Sequence, residues 1–132
     1  MHRIIISSVH NVAEATLWGF FSVADVKAYD RELQYHFESA RLKEGYRMLI
    51  DVAGCVIQPQ EIIAAFQEHV LSCPKADRIA VVTGSSIIQM QIRRVLTRSD
   101  LRIFAERSQA WDWLDVEHVA GALAIPPAPG CG

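Results

Sequence analysis

The sequence lacks the features of membrane, secreted and nucleic-acid-binding chains. No apolar run approaches the roughly 18 residues needed to cross a bilayer. The stretch Arg3–Val9 is too short for a signal-peptide core, and no cleavage pattern follows it. Only three cysteines occur, Cys55, Cys73 and Cys131. An odd number at scattered spacing is no disulfide framework, and no pair has the spacing of a zinc knuckle. Reduced thiols and a cytoplasmic location are therefore expected. Charge of one sign is also missing: 13 Lys and Arg stand against 15 Asp and Glu, for a net charge of −2. Nucleic acid is not an expected partner, because neutralising phosphates needs a basic surface. The histidines, His2, His10, His36, His69 and His118, show no H-x-x-x-H spacing. No Ser-His-Asp order, G-x-S-x-G or G-x-G-x-x-G is present. The reading is a protein that is not an enzyme and holds no cofactor or metal.

What is present is hydrophobic patterning. At 132 residues, 51% hydrophobic and 21% charged, the chain has the size and composition of one globular domain. Arg3–Trp18 reads as a β-hairpin turning at His10-Asn11, with Ala13, Ala15 and Leu17 alternating against Glu14, Thr16 and Trp18. Ser22-Val-Ala-Asp25 has the form of a capping box. It opens an amphipathic helix over about Val23–Glu44, with its stripe at Val26, Tyr29, Leu33, Phe37 and Ala40 and its end at Gly45. Three strand–helix units follow. The strands are Arg47–Val52, Ile79–Thr83 and Leu101–Ala105, whose unbroken apolar runs fit burial on both faces. Ala53-Gly54-Cys55 reads as a loop, and Pro59 as a first-turn residue of the next helix. A further helix runs to about Arg98, and a short one covers Glu106–Leu114. Strand–helix repetition predicts an α/β fold with a parallel sheet. The domain is expected over residues 1–115, followed by an extension and Pro/Gly-rich tail over 116–132.

Four segments in this order resemble the SpoIIAA-like (STAS/SEC14-like) domain family: Trp18-Gly-Phe-Phe-Ser-Val-Ala-Asp-Val26, Met48-Leu-Ile-Asp-Val-Ala-Gly54, Ala76-Asp-Arg-Ile-Ala-Val-Val-Thr-Gly-Ser85, and Leu101-Arg-Ile-Phe-Ala-Glu106 with Ala110-Trp-Asp-Trp-Leu114. The resemblance implies a single STAS-like domain: a mixed, mostly parallel five-stranded sheet, a βα superhelix, and helices mainly on one face. It also implies a binding role. Anti-sigma-factor antagonists of this type engage a kinase that phosphorylates a Ser or Thr in a D-S-S-G-like motif, and distant relatives bind lipids. Here the corresponding residues are Asp51-Val-Ala-Gly54, where Val52 and Ala53 carry no hydroxyl.

The candidate site residues each carry two readings. Asp51, at a strand end, is a base or ligand, or else it caps the loop after it. Gly54 is part of a functional loop or a plain turn residue. Cys55 is a thiol activated by a helix dipole or a small buried hydrophobe. Gly84, Ser85 and Ser86 form an anion site or a helix cap. Arg94 and Arg98, with Arg93, Arg102 and Arg107 nearby, hold an acidic partner or lipid phosphate, or form a solvated face. Trp111 and Trp113 point to opposite sides, one of them toward solvent. The leading expectation is a regulatory module that binds a protein partner. The alternative is a carrier of a lipid or other small apolar ligand, held between the sheet and the first helix by Phe20, Phe21, Tyr29 and Phe37. Homodimerisation through a free sheet edge is a further expectation.

Overall fold

The computed structural model describes residues 1–96 and 100–116. Five strands and four helices follow in the order β1 (His2–Ser7), β2 (Val12–Gly19), α1 (Val23–Glu38), β3 (Arg47–Cys55), α2 (Gln60–Ser72), β4 (Arg78–Val82), α3 (Ser86–Val95), β5 (Leu101–Phe104) and α4 (Arg107–Leu114). The strands lie side by side in sequence order. β1 and β2 are antiparallel, and β2 through β5 are parallel. This is the mixed, mostly parallel α/β architecture expected from the strand–helix repetition. No described helix is long and apolar enough to cross a membrane.

Alternation along the strands divides the core. Ala13, Ala15 and Leu17, with Met48, Ile50 and Val52, Ile79 and Val81, and Leu101, face one side and pack under α1, α2 and α3. Leu49, Ala80 and Val82 face the other side and pack against Ala110 and Leu114 of α4. β4, Arg78–Val82, lacks polar alternation because both its faces are covered. Three helices to one side and one to the other match the expected distribution.

The β1–β2 turn is longer than the two residues expected, because β1 ends at Ser7 and β2 begins at Val12. Asn11 takes the left-handed conformation (φ 55°). Its side chain accepts from Lys43 N (2.8 Å) and donates to Lys43 O (3.1 Å), which ties the hairpin to the segment after α1.

Two elements depart from expectation. α1 ends at Glu38, not near Glu44. The Ser39 hydroxyl donates back to Tyr35 O (2.8 Å), and Ala40 turns left-handed (φ 59°), outside the apolar stripe assigned to it. Leaving the helix there carries Leu42 into the core, where it is 1% exposed. Gly45 retains a positive φ, but within the connection to β3.

β3, in turn, runs through the presumed loop to Cys55. The β2–β3 register passes from Thr16↔Asp51 to Trp18↔Gly54, so Val52 and Ala53 together oppose Leu17 alone. This is a β-bulge. The Asp51 carboxylate accepts from the displaced Ala53 N–H (3.0 Å), and pairing resumes at Gly54 and Cys55. Gly54 is therefore a strand residue. A Cβ there would stand 3.0 Å from Trp18 Cβ. Pro59 is the N-cap of α2, one position earlier than expected.

Candidate functional site

Beneath α1, α2 and α3 the core is not filled. A cavity of about 130 Å³ lies between these helices and the sheet, with Leu17, Met48, Ile50, Val52, Ile79 and Val81 as its floor. Phe21, Tyr29, Ile63, Phe66, Val70, Ile88 and Ile92 are among the residues that wall it. Among the described residues, no Lys, Arg, Asp or Glu lines it. Of the aromatics expected to line such a space, Phe21 and Tyr29 do so. Phe20 instead lies 71% exposed, and Phe37 packs against Tyr46 (5.1 Å between centroids). The difference follows from chain direction, because Phe20 and Phe21 point opposite ways as the chain leaves β2.

One margin of the cavity is held by a pair of glutamines. Gln58 Oε1 accepts from Phe21 N (2.9 Å), and Gln58 Nε2 donates to Gly19 O (3.0 Å) and Val56 O (2.7 Å). Gln91 accepts from Gln58 N (3.1 Å) and donates to Gln58 O (2.8 Å). Two side chains thus join the end of β2, the β3–α2 connection and α3. Outside this margin the apolar side chains of Phe20, Val56, Ile57, Ile87 and Met90 are exposed. Topology places all five at the carboxyl ends of the parallel strands, where α/β sheets commonly bind ligands.

The opposite wall holds a polar group. His69, on α2, is 8% exposed. Its Nδ1 lies 2.5 Å from Asp30 Oδ1 on α1. Cys73, one turn further along α2, places its sulfur 3.7 Å from Nε2 and 3.9 Å from Nδ1. Gln34 Nε2 reaches that sulfur at 3.7 Å. Burial holds the His69 pKa below its ordinary 6.5, with Asp30 pulling the other way. Burial pushes the Cys73 thiol up to about 12.

Asp30, His69 and Cys73 supply the residue types of a nucleophilic triad or a metal site, with donor atoms within 4.8 Å of one another. The geometry supports neither use. A sulfur nearly equidistant from both ring nitrogens lies off both lone-pair axes, so the imidazole is not aligned to take the thiol proton. A thiol with so high a pKa stays protonated and weakly nucleophilic at neutral pH. For a metal, Nδ1 is already engaged by Asp30 Oδ1 at 2.5 Å, so these two residues do not both offer a free ligand atom to one centre.

The sequence candidates are dispersed. Asp51 sits on the α4 side, bonded to Ala53 N and, at 2.9 Å, to Arg107 Nη1. Arg107 also pairs with Glu14, a 4%-exposed carboxylate on β2. Asp51 therefore belongs to a carboxylate–guanidinium–carboxylate bridge joining β2, β3 and α4. Cys55 lines the cavity half-buried, and burial raises its pKa to about 11, which leaves the thiol protonated at neutral pH. Ser85 caps α3, its hydroxyl accepting from Ile88 N (3.2 Å). Ser85 N donates to the buried Thr83 hydroxyl, while Gly84 and Ser86 are exposed. Arg93 and Arg94 are exposed on α3, and Arg98 lies outside the described residues. Arg102 lies over the Trp113 ring (5.5 Å), as does Arg78 (5.4 Å). Among the described residues, Arg93 and Arg94 thus lie on α3, and Arg78 and Arg102 over Trp113, while the expected Arg94–Arg98 pairing falls partly outside the described residues. Neither Trp111 nor Trp113 is exposed. Trp111 packs on Val12, and Trp113 lies against Phe104 beneath the two arginines.

His69 and Cys73 were visible in sequence only as an i, i+4 pair, and Glu14 only as the polar side of an alternating strand. Nothing in the linear order connects Glu14 to Arg107, or Gln58 to Gln91.

No curated protein matches this chain. The family model described as SpoIIAA-like matches residues 12–115, from the start of β2 to the end of α4. The sheet order, the crossover helices and this match together establish that the chain belongs to the SpoIIAA-like family.

Proposed function

We propose that this domain is a non-enzymatic binding module that takes a small apolar ligand into the chamber between the sheet and α1–α3. The observation that carries the reading is the cavity itself. It is of the same order as an apolar cavity of about 150 Å³ that admits benzene. Its lining is hydrophobic with a few fixed polar groups, the usual make-up of a ligand pocket. The Gln58–Gln91 pair forms a hydrogen-bonded margin beside exposed apolar residues at the end where the parallel strands terminate. Ligand control replaces phosphorylation control in this reading, because residues 51–60 contain no Ser, Thr or Tyr.

The test is a titration of isotopically labelled protein with benzene and ethylbenzene. Saturable shifts of the Ile63, Val81 and Ile88 methyl signals are expected. Val70→Phe, at a half-buried wall position, should abolish them while the protein stays folded. Absence of saturable shifts in the native protein refutes the reading.

A second reading, a regulatory protein partner, is favoured by the five exposed apolar side chains at the cavity margin. Such residues mark interaction surfaces when they cluster. Replacing Ile57 and Met90 with Asp should release a partner recovered with the native chain. Recovery unchanged by these substitutions counts against that surface.

A further inference from the structure

We infer that the chamber selects apolar molecules carrying one uncharged oxygen, which the Tyr29 hydroxyl engages. This deepens, and rests on, the ligand-binding reading above. Tyr29 is 3% exposed and lines the cavity. Its ring is fixed from three sides, by His2 (5.4 Å), Phe66 (6.3 Å) and His69 (4.9 Å between centroids). Its hydroxyl makes no hydrogen bond among the described residues, in contrast to Tyr46, whose hydroxyl donates to Pro74 O (3.1 Å). The Tyr29 hydroxyl is not fully sealed from the cavity, and a donor without a protein partner that still borders open space is available to an arriving acceptor. An oxygen arriving with a ligand supplies what the wall lacks.

The remaining polar groups set the sign of charge that is admitted. The Asp30 carboxylate at Nδ1 fixes the imidazole so that Nδ1 carries the donated proton and Nε2 is the acceptor. Nε2 has only the weakly donating Cys73 thiol beside it, at 3.7 Å. No Lys or Arg among the described residues lines the cavity, so a carboxylate brought in would meet no described cation and would lie near Asp30. Burying an unpaired anion is strongly unfavourable. A ketone or alcohol meets the Tyr29 hydroxyl without that penalty.

Three probes of similar size separate the terms: ethylbenzene, acetophenone and benzoate. Binding is measured by calorimetry on the native protein and on Tyr29→Phe. Acetophenone is expected to bind the native protein and to weaken about tenfold in Tyr29→Phe, the loss of one buried hydrogen bond. Ethylbenzene is expected to change less than twofold between the two proteins, and benzoate to show no saturable binding. The carbonyl stretch of bound acetophenone gives a readout that needs no variant. It should lie below its value in hydrocarbon solvent when hydrogen-bonded. Equal weakening of ethylbenzene and acetophenone, an unshifted carbonyl band, or saturable benzoate binding each overturns the inference and leaves the ligand-binding reading standing. Failure of ethylbenzene and acetophenone alike to bind the native protein overturns both.

Discussion

At the scale of single residues, the conformational decisions rest on a few polar side chains and one glycine. Ser22 N donates to the Asp25 carboxylate (2.8 Å), and Asp25 N donates to the Ser22 hydroxyl (3.1 Å), a complete capping box. These bonds hold the Asp25 carboxyl below its ordinary value. Ser22→Ala should therefore lower unfolding stability by about 1 kcal/mol, measured by urea denaturation. Gly54 is a different case. It lies in an extended strand, and what it lacks is room, since its absent Cβ would meet Trp18 Cβ at 3.0 Å. Gly54→Ala should lose about 1–3 kcal/mol through overpacking of the bulge. Gly84→Ala, where a Cβ meets nothing within 4 Å, should stay within about 0.5 kcal/mol of the native protein. Equal effects of the two glycine substitutions would remove the steric account of Gly54.

At the scale of elements, α4 differs from its companions. Among the described helices it alone packs on the second face of the sheet, and Arg107 in its first turn is fixed between Glu14 and Asp51. Its last turn is fastened through Arg78, which donates to Trp113 O (2.6 Å). Arg107→Met should cost about 2 kcal/mol. That is below the roughly 3–5 expected for breaking a fully buried ion pair, because water reaches the guanidinium. Adding Glu14→Gln should restore part of the loss, and additive losses in a double-mutant cycle would show that the pair is not coupled. The sequence made the elements themselves legible, since periods of two and of three to four residues survive in β2, α1 and α2. It concealed what depends on register. Asp51-Val-Ala-Gly54 has loop composition but forms a bulge, because only pairing with β2 shows that two residues oppose one. Ala40 fits a helical stripe but turns outward, because burying Leu42 requires the helix to stop first. The candidate site was concealed further. A cavity is the space that side chains from six or more elements leave between them, and no local pattern encodes it. The expected aromatic lining was right at Phe21 and Tyr29 and wrong at Phe20 and Phe37, where chain direction decides.

At the scale of the whole molecule, two buried histidines link folding to pH. His36 is 9% exposed, with Nδ1 lacking a hydrogen-bond partner, and burial followed by the Arg41 charge holds its pKa below 6.5. His69 is depressed by burial despite its bond to Asp30. Both groups are therefore harder to protonate in the folded chain than in the unfolded one. As pH falls below about 6.5, the unfolded state takes up protons first, and stability declines with it. The decline ends once pH passes below the folded-state values, where both states are protonated. Asp25 acts in a lower window: its stabilisation is complete above its ordinary 3.8 and is lost as pH falls through its depressed folded value. Urea midpoints measured between pH 8 and pH 5 should thus be flat at the alkaline end and fall below about 6.5. His36→Gln should shallow that fall without shifting the Asp25 window. A midpoint rising as pH drops from 6.5 would mean that the folded chain stabilises the charged imidazoles, and the neutral His69 acceptor at the chamber wall would be lost with that result.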